Sequence, residues 1–210
     1  MVRVWDPLVR FTHWLVAVAF FIAYFTEDDA LTLHVWAGYT VGALVSLRLI
    51  WGFVGTRHAR FSDFLFGPWK VIAYLGDLVA FRAKRYLGHS PAGGAMAIAL
   101  WLGLLAVVWS GLEFYAEEEG AGPLVGVATE QVVGAAQPSG LYVLASEAEE
   151  EGDGHERGRG GGSGWGDIHE TLANLLFVLV VLHLAGVVLA SVAHRENLAR
   201  SMVTGSKREG

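Results

Sequence analysis

The sequence predicts an all-α membrane protein, a four-helix bundle, and three observations carry that prediction. Of 210 residues 53% are hydrophobic, mean hydropathy is +0.42 and tryptophan occurs eight times. Four runs, about 8–25, 35–54, 95–114 and 172–192, approach the roughly 20 apolar residues a helix needs to cross hydrocarbon. Lysine and arginine gather in alternate connections: Arg3 and Arg10, then Arg57, Arg60, Lys70, Arg82, Lys84 and Arg85, then Arg195, Arg200, Lys207 and Arg208. The positive-inside rule makes those three segments cytoplasmic, so both termini are expected inside and the chain is expected to form a single membrane domain, 1–210.

The first run follows Arg3 and Arg10 and lacks a small-residue cleavage site before the acidic Glu27-Asp28-Asp29, so it is expected to stay as a span. The second has His34 at its outer start and Arg48 toward its inner end. Beyond Gly67-Pro68, the residues Trp69, Ile72, Leu75 and Val79 recur at helical spacing, and Pro68 suits a first helical position. This predicts a cytoplasmic-side helix lying on the membrane, with Arg82, Lys84 and Arg85 at its far end meeting anionic head groups. Between the third and fourth runs, about 115–168, eleven acids against Arg157 and Arg159 give a net charge of −9, followed by a glycine-rich tract. This reads as a long, flexible external loop. It is either a solvated charge run or an acidic docking surface for a basic redox partner. With a net charge of −6, no nucleic-acid partner is expected.

Four histidines sit where histidine is scarce: His13 and His183 within apolar runs, His34 and His169 at the openings of two others. A polar ring in hydrocarbon is costly without a partner, so these are candidate ligands of a buried cofactor. Cysteine is absent, which excludes disulfides, thiolate-held iron–sulfur clusters and thioether-attached haem within the chain. The methionines Met1, Met96 and Met202 are few, which leaves histidine pairs as the natural ligands of a haem iron. His169 and His183 are 14 residues apart, close to four helical turns, so one helix face carries both about 21 Å apart. By depth, His34 pairs with His169 and His13 with His183. A proton or substrate relay is the rival use of such rings, and it lacks interior carboxylates, since Glu113 and Glu170 lie at outer ends. Arg48 is the one interior cation, open to a propionate contact, a quinone contact or snorkelling. His58 and His194 read as interfacial and His155 as part of the loop; none is assigned chemistry.

The segments Phe11-Thr12-His13-Trp14-Leu15, Leu33-His34-Val35-Trp36-Ala37-Gly38-Tyr39, Gly88-His89-Ser90-Pro91-Ala92-Gly93-Gly94 and His169-Glu170-Thr171-Leu172-Ala173-Asn174-Leu175 resemble the bacterial cytochrome b561 family. That family includes the b-type cytochrome subunits of membrane-bound nickel-iron hydrogenases. The likeness covers nearly the whole chain, with His183 at the family's offset and Ala193-His194-Arg195-Glu196 also similar. It implies a four-helix bundle with two haems b, His13, His34, His169 and His183 matching the axial ligands. The acidic loop over 117–166 departs from the family. His89, in its Gly-His-Ser-Pro setting, reads as a structural or quinone-site residue. The expected function is transmembrane electron transfer between membrane quinone and a periplasmic or membrane partner, such as a cytochrome c or an oxidoreductase subunit. The alternatives are a haem-bearing anchor of a larger oxidoreductase such as a hydrogenase, and a haem-free channel or transporter.

Overall fold

The computed structural model describes residues 1–27, 30–125 and 164–208. Among these, strand β1 (Val2–Arg3) precedes α1 (Pro7–Phe25) and α2 (Leu31–Val54). Two 3-10 turns, Arg57–Ala59 and Phe61–Asp63, lead to α3 (Pro68–Val79). Helices α4 (Pro91–Glu118), α5 (Gly164–Ala193) and α6 (Leu198–Thr204) and strand β2 (Ser206–Lys207) complete the order. Helices α1, α2, α4 and α5 are each long and apolar enough to cross a membrane. Two compact units are distinguished: residues 1–108 with 171–210, and residues 109–170.

Local chemistry sets the helix starts. Asp6 accepts the Val9 amide at 2.8 Å ahead of Pro7, so α1 opens on a side-chain cap and a proline whose missing amide costs nothing there. The same pair opens α4, where Ser90 Oγ accepts from the Gly93 amide at 3.2 Å ahead of Pro91. Asn197 caps α6 through the Arg200 amide, and Gly205 ends it at φ +81°, a left-handed conformation that glycine adopts without steric cost.

Three spans are longer than the hydropathy pattern predicts. The second begins at Leu31 rather than 35; the third covers Pro91–Glu118 rather than 95–114; the fourth covers Gly164–Ala193 rather than 172–192. Ala116, Glu117 and Glu118 are strong helix formers despite their polarity, and Asp167 in the first turn of α5 suits the positive end of the helix dipole. Both ends of the expected loop, 115–118 and 164–168, are therefore helical, and its stretch 126–163 lies outside the described residues.

Within the first unit the core gathers Ala19 and Phe20 of α1, Val41 and Val45 of α2, Leu104 of α4 and Leu176 of α5. Leu176 is 1% exposed and lies so close to Gly103 that a Cβ there would meet its Cδ1 at 2.9 Å, so glycine is what lets α5 approach α4 at this level. Elsewhere α5 presents Leu175, Val178, Leu182 and Val188 outward, as expected of a helix whose solvent is lipid.

A second cluster closes the end where the termini meet. Val2 pairs with Lys207 and Arg3 with Ser206 in antiparallel register, and Val4, Trp5, Val9 and Ala59 are buried together against Trp51 and Met202. Asp6 binds this end together, accepting from Thr56 Oγ1 at 2.6 Å and Trp51 Nε1 at 3.1 Å as well as from Val9. Arg10 donates to the Val203 carbonyl. Arg85 does not extend from α3 toward head groups as its sequence position suggests. It forms a two-point bond with Glu196, Nε and Nη2 each at 3.1 Å, because Glu196 is buried and requires a cation.

Burial raises the Asp6 pKa, but the bonds from Thr56, Val9 and Trp51 outweigh it and hold the carboxyl below its usual range. The sign follows: the carboxylate's contribution is present above the unfolded value and is lost as pH falls through the lower folded value. Asp6→Ala is expected to destabilise the protein by about 1–3 kcal/mol, since one cap and two hydroxyl or indole donors lose their acceptor. Thermal unfolding in detergent at neutral pH checks this, and the gap between variant and parent should narrow under strongly acidic conditions.

Candidate functional site

Three of the four candidate histidines fall in well-defined surroundings in the first unit. His13 lies on α1, six residues beyond its first residue, and His183 lies on α5, ten before its last. Their rings face each other with centroids 6.4 Å apart and planes at 54°. His13 Nδ1 is buried with no hydrogen-bond partner. A buried ring nitrogen without a partner is costly, and it calls for a group from outside the chain. Two metal–imidazole bonds of about 2 Å each, plus the half-width of each ring, put facing centroids roughly 6 Å apart. The spacing of these two rings therefore fits a metal held between them. Thr12, beside His13 and 2% exposed, turns its hydroxyl back to the Leu8 carbonyl at 2.8 Å and adds no competing donor.

His34 lies one turn inside α2, because that helix starts earlier than predicted. Its Nδ1 is 2.9 Å from the Ala23 carbonyl, one of the last carbonyls of α1. A carbonyl only accepts, so Nδ1 donates in this bond, and Nε2 is the nitrogen on the other side of the ring that a metal would take. Gly38 follows one turn later, and a Cβ at that position would meet nothing within 4 Å.

The second unit holds His169, 8% exposed, with Nδ1 3.0 Å from Ser110 Oγ. Gly111 makes room for it: a Cβ there would lie 2.8 Å from the ring's Cε1 and 3.2 Å from Nδ1. Any larger residue would push the imidazole off α4. The sequence reading missed Ser110 and Gly111, although an isolated glycine in an apolar helix is itself a sign of close approach.

The remaining candidates gather near the paired termini. Arg48 does not snorkel: it is 7% exposed, donates Nη1 to the Ala59 carbonyl at 3.2 Å and lies 4.9 Å over the Trp101 ring. His89 is wedged between Trp5, 4.8 Å away edge-on, and Phe64 at 4.6 Å, and its Nδ1 is buried without a partner. Burial first, then the charges of Arg48 and Lys207, push His89 down to about 3, so it is neutral at physiological pH. His58 pairs with Asp63 at 2.8 Å and His194 Nε2 lies 3.2 Å from the Tyr74 hydroxyl, so both are tied into the scaffold. His155 lies outside the described residues.

Four long apolar helices, three of them carrying imidazoles inside their spans, define a multi-pass helical membrane protein equipped to hold a metal-centred cofactor. The model of the prokaryotic cytochrome b561 family matches residues 4–205, and the chain belongs to that family. It is therefore a haem b membrane electron-transfer protein. It is 25% identical over 236 aligned positions to a probable Ni/Fe-hydrogenase B-type cytochrome subunit of Rhodobacter capsulatus, covering 98% of this chain and 81% of that relative. No solved structure matches it.

Gly111→Ile is expected to drive the His169 ring from its place and lower the haem content of the purified protein while leaving the His13–His183 contact intact. Haem quantification by alkaline pyridine spectra against protein mass checks this.

Proposed function

We propose that the chain is a di-haem transmembrane electron carrier, with His13 and His183 the axial ligands of one haem b and His34 and His169 those of the other. The facing imidazoles of His13 and His183, beside an orphaned ring nitrogen, are the observation that carries this reading. Bound haem supplies a reversible one-electron iron couple. The protein's part would be to hold each iron between two imidazoles, which would leave no open site for oxygen. Ala23 orients His34, Ser110 bonds His169, and Gly111 gives the latter ring its room. Electrons would pass between membrane quinone and a periplasmic or membrane partner, a cytochrome c or an oxidoreductase subunit. Arg48 and His89 would contact a propionate or the quinone.

A second reading is favoured by the hydrogenase-associated relative: a haem-bearing anchor subunit of a larger oxidoreductase, with no quinone chemistry of its own. The two separate on mixing the purified protein with a reduced quinone analogue, which reduces a carrier rapidly and leaves a pure anchor oxidised. The shared haem assignment is tested by composition. Two haems b per chain are expected, falling to one in His183→Ala and one in His34→Ala; full haem content in either variant would overturn the pairing.

The positive-inside distribution supports a bacterial inner-membrane location with both termini cytoplasmic. On that side α3 would lie in the lipid interface: Trp69, Ile72, Leu75 and Val79 are exposed while Tyr74 and Leu78 turn inward. Lys70, Arg82 and Lys84, all exposed, would meet anionic head groups. Because the chain has no cysteine, single labels can be placed cleanly. A nitroxide at Ile72→Cys is expected to collide with oxygen far more than with a polar nickel chelate, and one at Asp77→Cys the reverse. A water-accessible label at residue 72 would argue for a protein-covered face instead.

A further inference from the structure

Near the paired termini lies a group of basic side chains that, among the described residues, make no direct ion pair with a carboxylate, although Asp6 acts on Arg48 and Glu196 on Lys207 at longer range. Arg48 and Lys207 are 7% and 6% exposed. Their polar contacts are to backbone carbonyls, Arg48 to Ala59 at 3.2 Å and Lys207 Nζ to Gly88 at a long 3.4 Å, supplemented by the faces of Trp101 and Trp5. A ladder of ring contacts joins them: Trp101 lies 5.9 Å from Phe64, Phe64 4.6 Å from His89, and His89 4.8 Å from Trp5. His89 sits in the middle with a buried Nδ1 that nothing satisfies.

The nearby carboxylates direct their hydrogen bonds to other partners, so their charges reach Arg48 and Lys207 only through space. Asp63 is held by His58 at 2.8 Å and Arg57 at 3.8 Å. Asp6 accepts from Val9, Trp51 and Thr56, and Glu196 from Arg85 twice and from the Arg208 amide. Two buried cations with no directly bonded carboxylate, and a buried imidazole nitrogen with no partner, are costly, and an anion bonded to all three would offset that cost. Burial lowers the Lys207 ammonium pKa although Glu196 opposes that, which fits a cation lacking full compensation.

We infer that Arg48, His89 and Lys207 form a binding site for one carboxylate or phosphate anion, the chemistry shared by a haem propionate and a phospholipid head group. The propionate source rests on the haem reading above; the lipid source does not. Arg48 supplies a planar fork suited to either oxyanion, Lys207 a point charge and His89 a neutral N–H donor. The aromatic walls exclude water and strengthen all three contacts.

The test compares the full chain in lipid nanodiscs with Arg48→Gln, Lys207→Gln and His89→Phe. Haem-free protein is titrated with haem and with haem dimethyl ester, whose propionates carry no charge. If the anion is a propionate, the parent should prefer haem over the ester by about tenfold, one charge-assisted contact, and the variants should lose that preference while still binding the ester. If the anion is a lipid phosphate, haem and ester should bind alike, and native mass spectrometry should find an acidic phospholipid retained by the parent and lost from the variants. Equal binding of both porphyrins together with no retained phospholipid overturns the site. Circular dichroism, with ester binding itself, separates a lost site from a lost fold, and a chain that binds neither porphyrin refutes the haem reading while leaving the phospholipid arm readable.

Discussion

An imidazole placed in hydrocarbon must find a partner for each ring nitrogen, and much of this structure arranges those partners. His34 reaches the last turn of α1, where Ala23 offers a carbonyl that the helix does not fully use. His169 has Ser110, on a helix that gives up its own side chain at Gly111 to admit the ring. His13 is left with a buried nitrogen and another imidazole opposite. In water these rings would need no such provision. In a bilayer each unmet nitrogen would weigh against a fold whose helices gain little from apolar contact with one another, because lipid tails are as apolar as leucine.

The four spanning helices and their order are legible in the sequence because hydropathy over 20 residues is a strong signal, and the histidines are legible because they violate it. Boundaries are less so. Residues 115–118 look like loop by polarity yet continue α4, since alanine and glutamate favour helix wherever the segment leaves the hydrocarbon. Contacts between distant segments are not legible at all. Arg85 belongs by position to the head-group region, and only the fold shows that it serves the buried Glu196, 111 residues away. Likewise nothing in the tail marks Lys207 as a neighbour of Trp5, because that contact depends on a two-residue strand pairing too short to leave a pattern.

The two ends of the first unit are built on different principles. Where α1 gives way to α2, among the described residues His34 lies on a carbonyl of α1 and Thr26 turns its hydroxyl back on its own helix. Where the termini meet, tryptophans, aspartate and arginines interlock, with Asp6 accepting from three donors and Glu196 from Arg85 and the Arg208 amide. Such a concentration of indole and guanidinium groups suits the polar boundary of a membrane, where an amphipathic ring can satisfy both phases.

The antiparallel register of Val2 with Lys207 and Arg3 with Ser206 has a temporal meaning as well as a spatial one. A ribosome delivers residue 2 long before residue 207, so the clasp between them can shut only once every span has been threaded into lipid. Until then Trp5 and the first turn of α1 lack their final cover, and this rim is the last part of the first unit to reach its native form. A lesion in the closing strand would thus be felt at the opposite terminus of the chain, in the packing of residues made first.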